Sequence, residues 1–301
     1  MIDITLAKTL TGHQNPIYTL AVDTQRNTLY SAGNDKGIVE WDLDSLQFKR
    51  VLCNVPSSVY HLSVLEDRDL LIACLRSGGI LVIRKEEPTL AARLTVEQGA
   101  VFVAKAIPSK NELLAVDEYG KAYVWSLESF ELLYSFNVSN TTVRCAAVDE
   151  EKGIVALGDK LGEIHILDLL DYHLRISAKV HTHPVTSLAF VGEDLFSGGR
   201  DAKMYRLNVL DLSKKLEVTP HMFTVYGIVP LPYEGLFATV SRDKTLKVWD
   251  TQFQLHKNLS RDRGIDSHYL SINTACFHTA KGELFTAGDD KLIKVWYFHQ
   301  P

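Results

Sequence analysis

This chain has no apolar run near the roughly 18–20 residues that a membrane-spanning helix needs. Its opening residues, Met1 to Lys8, lack a basic segment followed by an apolar one, so no secretory signal is visible. It has only four cysteines, Cys53, Cys74, Cys145 and Cys276, with no C-x-x-C spacing. That excludes a disulfide framework and a thiolate zinc site, and the thiols read as small buried hydrophobes of a reducing compartment. No long stretch shows an apolar face at helical spacing, and no G-x-x-x-x-G-K-[ST] loop is present to cradle a phosphate. Positive charge is not in excess: the net charge is -5, which disfavours nucleic acid as the main partner because phosphate binding wants a basic surface. Together these absences lead to the expectation of a soluble, cytoplasmic protein with no membrane association.

What is present is a period. Stepping from Trp41 along the chain gives Trp41, Ile83, Trp125, Leu167, Leu207, Trp249 and Trp296, at spacings of 42, 42, 42, 40, 42 and 47. Ile17, Val59, Val101, Val143, Val185, Val225 and Ile272 stand at a matching place near the start of each unit, and all are β-branched and apolar. A fixed period of this length decides the architecture before any local reading does. Each unit holds short β-branched or aromatic runs bounded by Gly, Asp and Asn, which reads as four short strands, a to d. Four short antiparallel strands cannot bury both faces alone. Seven such sheets stacked radially can. The fold expected is therefore all-β: a seven-bladed β-propeller of four-stranded antiparallel blades. We place one domain over 1–301, with blades at about 11–52, 53–94, 95–136, 137–178, 179–218, 219–260 and 261–301. The last unit ends after its c strand, so the strand over 2–10 is expected to complete it and lock the ring.

The Gly12-His13 start, Asp35 in the turn before the third strand and the Trp41-Asp42 end resemble WD40 repeats, over essentially the whole chain. The first, sixth and seventh units carry the motif strongly, the fifth well, and the second to fourth in degenerate form. The resemblance implies a buried hydrogen-bond set in each well-kept blade: His13, Ser31, Asp35 and Trp41; His181, Ser197 and Asp201, with Leu207 in place of Trp; His221, Thr239, Asp243 and Trp249; His268, Thr286, Asp290 and Trp296. A His–Ser–Asp group invites a hydrolase reading, but a trio repeated at one register in four units is structural, and its hydroxyl lies in a strand. Blades two to four lack the set and are expected to rely on hydrophobic packing, with Asp117 and Asp159 capping their turns differently. Gly37 and Gly79 are read as tight-turn positions, matched one residue earlier by Gly120 and Gly162.

Neither a metal nor a cofactor is expected. His181-x-His183 looks like a ligand pair, but the register assigns His181 to a structural set. His165, Tyr172 and His173 are scattered over a strand c and its exit, and Cys145 and Cys276 fall within strand a, where an inert buried thiol is expected. The resemblance also implies a partner face at the channel mouth. Beside the strand-a start stand Tyr18, Tyr60, Phe102, Arg144, Thr186, Tyr226 and Asn273. Beside the turn Asp stand Asn34, Arg76, Glu118, Lys160, Arg200, Arg242 and Asp289. Aromatic and Arg side chains dominate interface hot spots. The function expected is a non-catalytic scaffold, monomeric on its own, that docks other proteins or peptides. Arg76, Arg144, Lys160, Arg200 and Arg242 would read acidic or phosphorylated residues, and Tyr18, Tyr60, Phe102 and Tyr226 would pack against apolar ones. The alternative is an enzyme or small-molecule binder using the channel, which would need polar groups converging on an axis whose strand-a residues are mostly apolar or small.

Overall fold

A computed structural model describes residues 3–299. The short apolar runs between turn residues become 28 strands, with two single 3-10 turns at Pro108–Lys110 and Arg261–Arg263. The strands pair into seven four-stranded antiparallel sheets arranged as a ring of blades. In blade 1 strands a to d are Ile17–Asp23, Thr28–Gly33, Gly37–Asp42 and Gln47–Asn54. Strand a of each blade faces the axis, and strand d lies at the rim and is the more exposed. The final sheet has the order Asp3–Leu10, Ile293–His299, Glu283–Gly288, Ile272–His278, so the N-terminal strand supplies strand d of blade 7. Its register runs from Asp3 opposite His299 to Leu10 opposite Ile293, with a bulge between Leu6 and Lys8. Ile2, expected in this strand, lies outside the described residues.

The core is distributed over seven clusters, one in each seam between neighbouring blades. Trp41, Leu29 and Phe285 meet in the seam that joins blade 7 to blade 1. The strand-a starters Ile17, Val59, Val101, Val143, Val185, Val225 and Ile272 are all fully buried. Each seals the inner end of a seam, and burying one such side chain is worth about 1.5–3 kcal/mol.

Polar clamps hold the opposite end of the seams. Two residues before strand b stand Arg26, Arg68, Lys110, Lys152 and Lys281, and each reaches into the following blade. Arg26 meets Glu86 at 3.0 Å, Arg68 donates to the Leu127 carbonyl at 2.7 Å, and Lys110 to that of Leu170 at 3.2 Å. Lys152 donates to the Gly192 carbonyl at 3.2 Å and Lys281 to that of Leu43 at 2.7 Å. Between blades 5 and 6 Arg206 performs this task on the Thr251 carbonyl at 3.1 Å. Between blades 6 and 7 the ring of Tyr233 packs instead on Phe277 and Phe298. In the first seam a fully buried pair, Lys85 Nζ and Asp23 Oδ2 at 2.6 Å, adds an internal link.

The tight-turn reading needs one correction. The left-handed positions of the b–c turn are Lys36 in blade 1, Gly78 and, as expected, Gly79 in blade 2, and Gly120 and Gly162 in blades 3 and 4. Gly37 has ordinary backbone geometry and is the first residue of strand c. Blades 5 to 7 place Ala202, Lys244 and Lys291 in the same strained conformation, which costs of order 1–3 kcal/mol at a non-Gly residue and persists because the two flanking strands hold it.

Removing residues 1–9 should leave strand Ile293–His299 with an unpaired edge. We expect a fall in melting temperature of more than about 5 °C and a rise in light scattering. A truncated chain that melts at the full-length temperature would show that this pairing does not carry the ring.

Candidate docking face

Beneath the face, the polar sets fix where the loops stand. In blade 1 the Trp41 indole N–H donates to Ser31 Oγ at 2.7 Å, Ser31 Oγ meets His13 Nε2 at 2.7 Å, and His13 Nδ1 meets Asp35 Oδ2 at 2.6 Å. Blade 6 repeats the chain through Trp249, Thr239, His221 and Asp243, and blade 7 through Trp296, Thr286, His268 and Asp290. Blade 5 keeps His181 between Ser197 and Asp201, while Leu207 makes no polar contact and the ring of Tyr205 packs edge-on to the imidazole. In this arrangement the imidazole Nδ1–H donates to the carboxylate and Nε2 accepts from the hydroxyl. The carboxylate then takes the backbone N–H that follows each His: Gln14, Thr182, Met222 and Tyr269. The d–a loop is thereby tied to the b–c turn, and the two together make the rim of the channel.

Blades 3 and 4, which lack the His set, cap their turns with Asp117 and Asp159, as expected. Asp117 and Asp159, at the end of strand b, carry the turn. Asp117 Oδ1 accepts from the Tyr119 and Lys121 N–H groups, and Asp159 Oδ1 from those of Leu161 and Glu163. Their second oxygens are reached from strand c, by the Tyr123 hydroxyl at 3.1 Å and by His165 Nε2 at 3.2 Å; Ser139 Oγ also donates to Asp159, at 2.8 Å. The reason is space. At the same strand-b position blade 5 has Gly199, where an added Cβ would lie 2.3 Å from His181 Nδ1. Without the loop His, a carboxylate fits there and takes over both jobs. His165 is thus a structural group, and so is Tyr172, whose hydroxyl donates to Glu112 at 2.5 Å. His173 is exposed and bonded to Asp171.

The rim residues divide into two halves. All seven residues that follow the strand-a start line the channel cavity, whose volume is about 470 Å³. Tyr18, Tyr60 and Phe102 form a continuous arc over blades 1 to 3. Tyr18 and Tyr60 lie 5.9 Å apart, Tyr60 and Phe102 stack at 4.7 Å with 8° between planes, and the Arg144 guanidinium sits 4.8 Å from the Phe102 centroid. Over blades 4 to 6 the character changes. Arg144, Lys160, Arg200 and Arg242 border one cavity of about 270 Å³, with Pro184, Thr186, Thr224 and Tyr226. All four cations are exposed, and among the described residues none has a carboxylate within ion-pair distance. Arg76, expected with them, is exposed but stands apart beside Tyr18. Glu118 and Asp289 are not free acids: the first accepts from the Ala100 N–H and the second from Asn273. Asn34 accepts from Ser58 Oγ.

Two features were absent from the sequence reading. Met222 and Phe223, immediately after the blade-6 His, are 81% and 53% exposed, and Arg242 lies 5.9 Å over the Phe223 ring. Their signal was two large apolar residues in a d–a loop. The channel wall is also less apolar than expected, since it carries His61 and Lys105. Cys145 is buried, and desolvation pushes its thiol up to about 12; all four cysteines are free.

The fold is a seven-bladed β-propeller whose polar sets resemble those of WD40 repeats, and the comparisons find that repeat at three places along the chain. The family model described as "WD domain, G-beta repeat" matches residues 4–42, 213–250 and 261–297. The chain is 29% identical over 202 residues to WD repeat-containing protein 90 of Xenopus tropicalis, covering 60% of this chain and 11% of that one. It is 22% identical to kinesin-like protein KIF21B of Mus musculus, over 95% of this chain and 18% of that one. It is likewise 22% identical to actin-interacting protein 1 of Caenorhabditis elegans, over 95% of this chain and 47% of that one. The chain spans between 11% and 19% of the length of the first curated relatives it matches. No helix among the described residues is long and apolar enough to cross a membrane.

The polar sets predict an acid-sensitive ring. Burial raises the Asp201 carboxyl, but the His181 hydrogen bond and charge outweigh it and bring it down to about 2, below its ordinary 3.8. Its contribution is therefore full above about pH 4 and lost as pH falls towards 2. Burial also lowers the His13 and His221 pKa below the ordinary 6.5, against the pull of Asp35 and Asp243. The folded state then binds fewer protons than the unfolded chain, so stability declines as pH drops below about 6.5. Thermal melts should show a falling midpoint from pH 7 to 5, and a flat profile would overturn this. Separately, Thr239→Val strands the Trp249 N–H and His221 Nε2 and should cost about 2–3 kcal/mol in urea unfolding.

Proposed function

We propose that this propeller is a non-catalytic, monomeric, cytoplasmic docking module that binds an extended acidic or phosphorylated protein segment across the channel mouth. The observation that carries this reading is the convergence of Arg144, Lys160, Arg200 and Arg242 on one cavity with no internal carboxylate to neutralise them. Some cations elsewhere in the ring do meet a carboxylate, as Arg26, Arg175 and Arg206 each pair with Asp, but the four at this cavity stand together without one. Charge-assisted bonds from several Arg and Lys side chains suit a phosphate or a cluster of carboxylates. The aromatic arc supports an apolar contact beside it. Tyr60 and Phe102 spend facing surfaces on each other, so the arc offers a flat platform and not a cage. Arg144 joins the two halves, and Tyr226 extends the basic half towards the axis. The relatives carry names that speak of actin interaction and of kinesin-like proteins. Those names suggest assemblies of proteins as the setting, and the docked segment would come from such a partner. The free thiols fit a reducing compartment.

The double substitution Arg200→Glu with Arg242→Glu reverses two of the four charges at exposed positions. Binding of an acidic phosphopeptide by fluorescence anisotropy should weaken at least about tenfold, and wild-type binding should fall steeply with salt. The melting temperature should stay within about 2 °C, since surface changes rarely exceed about 0.5 kcal/mol. Equal affinity in the double variant would overturn the proposal.

A further inference from the structure

Two residues before the strand-c anchor stand, from blade 1 to blade 7, Val39, Leu81, Tyr123, His165, Tyr205, Lys247 and Lys294. In four blades a lysine ammonium covers this place. Lys247 and Lys294 occupy it themselves. The Lys247 ammonium donates to the Pro220 carbonyl at 2.6 Å, lies 6.0 Å from the Trp249 ring centroid and feels the charge of Asp243. That of Lys294 meets Asp266 at 2.9 Å. In blades 3 and 5 the place is a tyrosine, and Lys121 and Lys214 lie over the Tyr123 and Tyr205 rings at 5.6 and 3.7 Å.

Blade 1 has no such lysine. The shorter Val39 stands there, and it borders a cavity of about 250 Å³ with Gly12, Asp35, Phe48 and Val51. The Phe48 ring is edge-on to Trp41, with centroids 6.0 Å apart, and makes the apolar side of the cavity with the two valines. The other side is acidic. Asp35 Oδ2 takes His13 Nδ1 and the Gln14 N–H, but Oδ1 has no hydrogen-bond partner. In the other three sets Oδ1 accepts the N–H two residues on, from Lys203, Thr245 and Leu292. His13 does not neutralise this carboxylate, because its Nε2 accepts from Ser31 and its one proton is on Nδ1. Among the described residues no Lys or Arg lies within ion-pair distance of Asp35. The Gly12 carbonyl, the counterpart of the one at Pro220, takes only a 3.4 Å contact from Gln14.

We propose that this cavity is a binding site for a lysine side chain of a docked protein segment. The visiting ammonium donates to the Gly12 carbonyl beside the Asp35 carboxylate, as Lys247 does at Pro220 beside Asp243. Its four-carbon stem lies along Val39, Val51 and Phe48. The segment thus supplies from outside the lysine that blades 6 and 7 supply from within. A compact ammonium suits a single carbonyl beside a carboxylate better than a guanidinium, whose planar fork is matched to two parallel acceptors. The volume is below the roughly 300–1,000 Å³ of small-molecule sites and suits one side chain. Blade 1 alone builds the site, so it does not rest on the rim cations of blades 4 to 6 or on the docking reading drawn from them.

The test is titration of the isotope-labelled full chain with an acetylated, amidated Gly-Ser-Lys-Ser-Gly peptide, read by amide NMR. Saturable shifts are expected at Gly12, Gly37 and Asn54, which border the cavity. A peptide with norleucine for lysine keeps the stem, loses the charge and should bind about tenfold more weakly or worse; this arm needs no variant to fold. Val39→Lys puts the blade-6 residue into blade 1. It should fill the cavity from within and abolish the shifts, with an unchanged circular dichroism spectrum. The Arg200→Glu, Arg242→Glu double variant should bind the lysine peptide within about twofold of wild type. Absence of saturable shifts, equal affinity of the norleucine peptide, or unchanged binding in folded Val39→Lys overturns the site. Binding of n-butylamine as tight as that of the peptide would overturn a protein segment as its source. The rim reading stands or falls separately, on its acidic phosphopeptide.

Discussion

One strand pairing holds this molecule in its closed form. Six seams are crossed by the covalent chain, and the seventh blade is completed by Asp3–Leu10 lying antiparallel to Ile293–His299. A four-stranded blade has two apolar faces and no way to cover either alone. Every seam cluster therefore needs both its neighbours in place, and an open ring would expose the flanks of two blades at once. The rest follows from closure. The buried strand-a starters can face the inner seams only when the ring is complete, and the basic clamps from Arg26 to Lys281 bridge each blade to the next because the next blade is there.

Within the blades, one geometric need is met in two ways. The d–a loop and b–c turn must be tied together, and a buried carboxylate is the natural hub because it accepts several N–H groups at once. In blades 1, 5, 6 and 7 the hub is the turn Asp, held by a loop His. In blades 3 and 4 it comes from the end of strand b, and Tyr123 or His165 reaches it from strand c. Blade 5 shows the steric side of the choice: at Gly199 an added Cβ would stand 2.3 Å from His181 Nδ1, where blade 4 has Asp159. Degenerate repeats here are a second design and not a decayed first one.

Because the polar sets absorb the His, hydroxyl and Asp groups inside the blades, the residues beside them are left to vary. Their variation is ordered around the ring: aromatic over blades 1 to 3, cationic over blades 4 to 6, with Arg144 at the boundary stacked on Phe102. Such an arrangement gives a bound segment a direction, since a strand laid across the mouth meets a flat apolar platform at one end and charge at the other.

The period of the β-branched starters and the Trp anchors was enough to determine the ring, its blade number and the strand that closes it, because those features depend on local pattern and on the requirement that every sheet face be covered. The loop-His sets were equally legible, since each repeats a fixed spacing. What the sequence left open depended on distances between residues far apart in the chain. Arg144, Lys160, Arg200 and Arg242 come from three blades, and only the curvature of the ring brings them to one cavity while leaving Arg76 outside it. Asp159 and His165 form a hub only because Ser139 leaves room for it.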